Sequence, residues 1–224
     1  ILLHAPLPPA SYDLAWDYEF YMQRPLWRDE VRTCMWNGEY FVLQRTEYSA
    51  PRYRFQAVQD GDRAVLAGEY DKALDFYQQT IFNDQLDWLT EARLTNIMIQ
   101  NSTAFRQDAT PTPLPYDPTE YLNLAAYARY RIMLLHIFRG WMTEAETAYL
   151  TLQENYPKEQ PGYEFAEMAS LFWQEYQARQ DMKQACLKAI HYASMHSEIL
   201  SYLEGPFYWQ SLDYVPQDIC PYNR

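Results

Sequence analysis

Helical periodicity from residue 53 onward is the sequence feature that most constrains the fold of this chain. Apolar side chains recur three and four positions apart over residues 53–67, and again in the stretch that follows Gly68. This spacing places them along one face of each of two helices. Because only about four residues connect the two stretches, the helices must lie antiparallel and side by side. The pattern therefore predicts a helical hairpin.

The same pattern occurs twice more. Residues 120–157 break at Gly140 and residues 164–194 break near Gln180, so each stretch predicts another helix pair. Between the first pair and the second, residues 86–104 also have helical spacing. They predict one additional helix.

A proline-rich loop separates that helix from the second pair. Residues 106–118 contain four prolines, which exclude helix there because proline lacks the N–H that a helix interior needs. The other interpretation of this segment, a polyproline II ligand for another protein, is less favoured than a stiff surface loop.

The first fifty residues are aromatic and proline-containing, and they predict little regular structure. Within them the stretch from Pro25 to Trp36 fits a helix, because Val31, Cys34 and Met35 have helical spacing. The dipeptide Asn37-Gly38 leaves a β-hairpin open as the alternative. We favour the helix, since the apolar residues do not alternate, and we expect an extended connector after it.

Small residues stand where paired helices would touch. In the first pair these are Gly61 and Ala73, with Gly68 at the turn and Tyr77 filling the space beside the contact. This arrangement resembles the tetratricopeptide repeat, a helix–turn–helix unit of about 34 residues. The resemblance extends over residues 53–195.

The later pairs resemble the repeat less closely. The second matches at Gly140, Ala145, Tyr149 and Pro157, whereas Met133 stands where the family has a small residue. The third matches at Ala185, while Trp173, Gln180 and Ala189 depart from the pattern.

The resemblance implies an all-α fold, a tetratricopeptide-like array of antiparallel helix hairpins. We expect residues 1–52 to form an irregular N-terminal segment packed on the repeats and residues 53–199 to form the repeat domain. Residues 200–224 are expected to form an irregular C-terminal tail.

Family members commonly bind an extended peptide on the concave surface formed by the first helix of each pair. Carried over to this chain, that surface would comprise Phe55, Val58, Asp62, Tyr127, Tyr130, Leu134, Ile137 and Gln174, with Glu167 and Ser170 beside Gln174. The subgroup that clamps a peptide carboxylate uses Lys, Asn and Arg at such positions. Here Val58 and Asp62 replace them, so that activity is not expected. The alternative is that Tyr127 and Tyr130 pack beneath the head or tail of the chain.

The charge balance restricts the classes of partner. The chain has 18 basic and 30 acidic residues, a net charge of −12, and no basic stripe that could neutralise phosphates. Nucleic acid and anionic membrane surfaces are therefore disfavoured. No apolar run approaches the ~18 residues that a membrane-spanning helix needs.

Few residue patterns point to catalysis or to a bound cofactor. The sequence lacks a glycine-rich phosphate loop and a G-x-S-x-G motif. His191 and His196 are five positions apart, so they do not converge on one metal ion, and Asp60-Gly61-Asp62 lacks the other ligands of a calcium loop. We expect no metal, no cofactor and no enzymatic activity.

Three cysteines leave the redox environment open. Cys186 lies on an apolar helical face and is expected in the core, whereas Cys34 and Cys220 could form a bridge. The chain starts at Ile1 without a methionine, which we interpret as a processed or excised portion of a larger or membrane-anchored protein. An extracytoplasmic location is favoured.

The function expected from these features is a non-enzymatic protein-interaction or scaffold module that binds a protein or peptide. The alternative is a glycan- or small-molecule-binding module, because aromatic residues make up 17% of the chain and can stack on sugar rings. The positions of Trp16, Trp36, Trp141, Trp173 and Trp209 would discriminate between the two. An exposed flat pair lining a cleft would favour sugar.

Overall fold

The computed structural model describes residues 2–5, 30–86, 118–203 and 214–223. The described residues belong to two compact units, residues 2–5 and 30–51 to the first and residues 52–86, 118–203 and 214–223 to the second. Residues 87–104 of the predicted helix and most of the loop over residues 106–118 lie outside the described residues, as do Trp16 and Trp209.

The first unit contains a three-stranded antiparallel sheet in the order β1-β2-β3. Its strands are β1 (Leu2–Ala5), β2 (Glu30–Trp36) and β3 (Phe41–Tyr48). A short loop joins β2 to β3, and the side-chain Oδ1 of Asn37 accepts the backbone N–H groups of Glu39 at 3.0 Å and Tyr40 at 2.9 Å. Gly38 follows with a φ of +108°, a conformation that favours glycine.

The helix predicted over Pro25–Trp36 is wrong for the part that the structure describes, since β2 runs from Glu30 to Trp36. The connector expected after it is strand β3. A strand shows alternation in its sequence when one of its faces is buried. Here Met35 and Trp36 are adjacent, point to opposite faces, and are 59% and 54% exposed. The sequence at this end of the hairpin therefore lacks the alternation that would have identified β2 as a strand.

The second unit is helical. The six α-helices of its described part are α1 (Arg54–Leu66), α2 (Tyr70–Phe82), α3 (Pro118–Phe138), α4 (Met142–Asn155), α5 (Tyr163–Arg179) and α6 (Met182–Met195). The prediction of a mostly helical chain is confirmed, and the small sheet is the feature that it lacked. The helix pairs predicted from periodicity are present as α1–α2, α3–α4 and α5–α6.

Tight turns join the two helices of each pair. Gly68 and Gly140 have φ values of +75° and +77°, the left-handed conformation that closes a helix C-terminus. Gln180 adopts the same conformation with a φ of +53°. The third turn therefore departs from the glycine pattern in sequence while keeping its backbone geometry.

Small side chains stand at the helix contacts. Ala73, Ala145 and Ala185 are fully buried. A Cβ placed on Gly61 would lie 2.5 Å from the nearest ring atom of Tyr77, so only glycine lets this ring lie against α1. Across pairs, α2 contacts α3, and α5 contacts both α3 and α4, so neighbouring pairs pack on one another.

The chain ends in short 3₁₀ turns. One spans Ser197–Tyr202, and two more, Pro216–Ile219 and Pro221–Asn223, lie in residues 214–223, hereafter the terminal segment. Helix α6 contacts all three turns.

A disulfide joins Cys186 of α6 to Cys220 of the terminal segment, with their Cα atoms 5.4 Å apart. The pairing of Cys34 with Cys220 considered from the sequence is therefore wrong. Cys186 is fully buried, as predicted, and Cys220, to which it is bonded, is fully buried as well. Cys34 is a free thiol on β2.

Candidate functional site: a buried aspartate that holds the terminal segment

Asp62 of α1 is the centre of a buried polar cluster. Its Oδ1 accepts a hydrogen bond from the Tyr77 hydroxyl at 2.6 Å. Its Oδ2 accepts the hydroxyls of Tyr127 at 2.9 Å and Tyr214 at 2.6 Å. The side chains come from α1, α2, α3 and the terminal segment, so one carboxylate joins four parts of the chain.

Arg131 of α3 balances the charge of Asp62. Its Nη2 lies 3.1 Å from Oδ1 of Asp62, and its side chain is 1% exposed. Its Nη1 donates to the Tyr127 hydroxyl at 3.0 Å and to the main-chain carbonyl of Asp218 at 2.7 Å. A buried ion pair is tolerated when hydrogen bonds satisfy its remaining polar atoms. Here the hydroxyls and the carbonyl of the terminal segment satisfy most of these atoms, while the Nε of Arg131 is buried without a hydrogen-bond partner among the described residues.

Local sequence explains how these groups meet. Gly61 leaves room for the ring of Tyr77, which directs the tyrosine hydroxyl at the adjacent Asp62. Tyr127 and Arg131 are four residues apart on α3, so they project from the same face. The guanidinium also lies over the rings of Tyr77 and Tyr127, at 5.7 Å and 5.6 Å from their centroids.

The hydroxyls of the cluster are neutral donors. Burial raises the pKa values of Tyr77, Tyr127 and Tyr214 well above 10.0, Asp62 raises them further, and Arg131 opposes the shift. For Arg131, burial alone would lower the pKa, but Asp62 and the surrounding tyrosines raise it overall. The cluster is thus one ion pair held by neutral hydroxyls, and it recognises a hydroxyl and a carbonyl of the terminal segment.

Apolar contacts complete the docking of the terminal segment. Ile219 and Cys220 are fully buried. The ring of Tyr222 stacks on Phe138 at the end of α3, with centroids 4.7 Å apart. Besides the disulfide, the helical array therefore holds the terminal segment through two specific polar contacts and several apolar ones.

Seven of the eight residues predicted to line a concave surface are buried. Phe55, Val58, Asp62, Tyr127, Tyr130, Leu134 and Ile137 are each no more than 5% exposed. Gln174 is exposed and donates to the Ser170 hydroxyl at 3.1 Å. Glu167 accepts from the hydroxyl of Tyr163 at 2.9 Å, so it does not join the Asp62 cluster.

The alternative weighed for Tyr127, packing beneath the tail, describes the observed arrangement. Tyr127 shares the Asp62 carboxylate with Tyr214. For Tyr130, burial raises the pKa, Arg131 lowers it and the proximity of Tyr222 raises it again. Tyr127 therefore lies beside the terminal segment, whereas Tyr130 is a fully buried residue of α3.

Sequence reasoning missed Arg131, Tyr214 and Asp218. A signal for Arg131 was present, because α3 has apolar residues on all sides and an arginine within such a helix indicates a buried ion pair. Tyr214 gives no comparable signal, since 152 positions separate it from Asp62.

The tryptophans of the described residues do not form the flat pair expected for a sugar platform. Trp36 meets Phe41 edge-on, at an interplanar angle of 62°. Trp141 is 42% exposed, but the guanidinium of Arg139 lies 4.4 Å from its ring centroid. Trp173 is half-buried and stacks on Tyr149 at 5.1 Å.

In the part of the chain that the structure describes, the His, Cys, Asp and Glu side chains form no group of three that could hold a metal ion. Among its helices, none combines the length and apolar character needed to cross a membrane.

Comparison with known proteins gives no relative for this chain. No protein-family model, no curated protein and no solved structure matches it.

Proposed function

We propose that this chain is a non-enzymatic protein-interaction module that binds an irregular or extended peptide segment of a partner. The observation that carries the proposal is the recognition of residues 214–223 by the buried pair Asp62 and Arg131. One member accepts a side-chain hydroxyl and the other donates to a main-chain carbonyl. These are the contacts by which a domain binds a peptide.

We further infer that the helix pairs form a tetratricopeptide-like array. Support comes from the three pairs, from their left-handed turns, and from the small residues Gly61, Ala73, Ala145 and Ala185 at helix contacts. In such an array the first helices, α1, α3 and α5, provide the recognition surface. Asp62 and Arg131 lie on two of those helices.

An interaction role fits the chemistry of the cluster better than catalysis. Asp62 is 5% exposed, and within the described part of the chain its carboxylate accepts the hydroxyls of Tyr77, Tyr127 and Tyr214. A general acid or base must reach the proton that it transfers. A carboxylate enclosed by three hydroxyls and a guanidinium instead fixes the position of the groups that it binds.

Glycan binding is the second candidate, favoured by the 54% exposure of Trp36. An exposed indole can stack on a sugar ring. The edge-on contact between Trp36 and Phe41 makes this end of the hairpin uneven, which is less suited to a sugar than to a side chain. Peptide binding therefore remains the favoured function.

Parallel screens of the full chain test the proposal. The purified protein, with its Cys186–Cys220 disulfide reduced, is panned against a random peptide library and applied to a glycan array at the same concentration. We expect enrichment of peptides that contain tyrosine, and no sugar signal. Gln78→Ala serves as a control, since Gln78 is exposed on α2, a second helix outside the recognition surface, and this variant should bind the same peptides. Sugar binding without peptide enrichment would overturn the proposal.

A further inference from the structure

We propose that the terminal segment is an autoinhibitory ligand, which occupies the peptide-binding groove of the helical array and closes it to partners. The groove floor is formed by Asp62, Tyr127 and Arg131. This inference rests on the proposed function and adds how the site is regulated. The partner that it fits is a peptide with a tyrosine, a free main-chain carbonyl four residues later, and an apolar side chain after that.

The contacts of the terminal segment are ones that a separate peptide could make equally well. Tyr214 offers a hydroxyl to Asp62, and Asp218 offers its main-chain carbonyl to Arg131. Ile219 is the fully buried apolar residue. The opposite side of the segment faces solvent, as the 46% exposure of Val215 shows. Recognition therefore depends on the inward groups alone.

The segment leaves the groove floor incompletely satisfied. The Nε of Arg131 is buried and has no hydrogen-bond partner among the described residues. A buried donor without a partner is costly. A peptide that offers a further acceptor to Arg131 would make a contact that the protein's own segment does not make, which gives it an advantage in competition.

Two covalent connections hold the segment in place. One is the chain through residues 204–213, and the other is the disulfide between Cys186 and Cys220. A dithiol reductant removes the second by thiol–disulfide exchange. The dithiol is oxidised to its own disulfide, and Cys186 and Cys220 each end as a thiol. The segment is then held by its noncovalent contacts and by the chain through residues 204–213 alone. Because its effective concentration at the groove falls, a partner can compete for the groove.

A binding experiment on the full chain tests this mechanism. The probe is a fluorescent peptide of residues 214–223 with alanine in place of Cys220, followed by fluorescence anisotropy. We expect binding to the Cys186→Ser/Cys220→Ser protein to be at least about tenfold tighter than to the oxidised wild type. The matched control peptide has phenylalanine in place of Tyr214. It should bind at least about tenfold more weakly, because it cannot donate to Asp62.

A second form of the protein tests whether the helical array stays folded when the terminal segment is released from both covalent connections. A protease site is inserted within residues 204–213 and cut while the disulfide is intact, and reduction then frees the segment. The cut and reduced protein should keep its helical circular dichroism and bind the probe. Loss of the helical signal on release, or failure of this form to bind, would show that the segment belongs to the core and would overturn the proposal.

The remaining outcomes separate the two proposals. Equal affinity of the probe for oxidised and disulfide-free protein overturns autoinhibition. If library peptides still bind the oxidised protein, the interaction function stands without autoinhibition. If library peptides bind neither the oxidised wild type, nor the disulfide-free variant, nor the cut and reduced protein, both proposals fail.

Discussion

Gly61 and Asp62 are neighbours on α1, and both depend on the side chain of Tyr77. The glycine makes room for the ring, and the aspartate accepts its hydroxyl. A change at either residue therefore alters helix packing and the polar cluster together.

Gly61→Val should destabilise the protein by about 1–3 kcal/mol, because the new side chain would enter the space of the Tyr77 ring. Urea unfolding followed by circular dichroism measures the loss. Gln78→Val introduces the same side chain at an exposed position of α2 and should cost less than about 1 kcal/mol. Equal losses for the two variants would show that the contact between Gly61 and Tyr77 is unimportant.

Tyr130 permits a separation of packing from hydrogen bonding. Its ring is fully buried, and its hydroxyl has no hydrogen-bond partner within the described part of the chain. Tyr130→Ala should cost about 3–5 kcal/mol through the cavity that it leaves. Tyr130→Phe should be neutral or stabilising, since it removes a buried unsatisfied hydroxyl. Thermal unfolding of both variants provides the measurement, and a large loss for Tyr130→Phe would reveal a partner for the hydroxyl.

At the scale of elements, the β2–β3 hairpin depends on its loop. The side chain of Asn37 accepts two backbone N–H groups that would otherwise be unpaired in the turn. Asn37→Ala should destabilise the hairpin by about 1 kcal/mol, whereas Asn37→Asp keeps the acceptor and should be close to wild type. Hydrogen exchange of the β2 and β3 amides tests this. Faster exchange in both variants would mean that the amide N–H₂ of Asn37 matters and the acceptor does not.

The helices could be predicted from the sequence because their signal is local. Apolar spacing and the turn glycines at Gly68 and Gly140 place α1, α2, α3 and α4 within a few residues of their observed bounds. The β2–β3 hairpin could not be identified in the same way, since Met35 and Trp36 are exposed on opposite faces. A strand without a buried face carries no alternation in its sequence.

The site was predictable only in part, because its contacts are distant in sequence. Asp62 was among the predicted surface residues, but its partners Tyr77, Tyr127 and Tyr214 lie 15, 65 and 152 positions away. Periodicity within a helix reports which face is apolar and not which distant hydroxyl will meet a carboxylate. The disulfide was missed for the same reason, since Cys186 and Cys220 are 34 positions apart.

At the scale of the whole molecule, the buried tyrosines make stability depend on alkaline pH. The pKa values of Tyr77, Tyr127 and Tyr214 are raised above 10.0 in the folded protein, chiefly by burial. A tyrosine of the unfolded chain loses its proton near pH 10, so above that pH the unfolded state binds fewer protons than the folded one. The stabilisation is complete below about pH 10 and is lost as the pH rises further.

The melting temperature should therefore fall by on the order of 5–10 °C between about pH 9 and about pH 11. Circular dichroism at each pH measures it. Tyr214→Phe removes one of the three groups, so its alkaline loss should be smaller than that of the wild type. An unchanged melting temperature over this range would show that the tyrosines titrate normally in the folded protein.

We infer that the contact between Asp62 and Tyr214 helps to hold the terminal segment on the helical array. A double-mutant cycle with Asp62→Asn and Tyr214→Phe, measured by urea unfolding, tests that contact directly. Because the hydroxyl donates to a buried carboxylate at 2.6 Å, we predict a coupling free energy of about 1–2 kcal/mol. Additivity of the two substitutions within about 0.5 kcal/mol would contradict the claim.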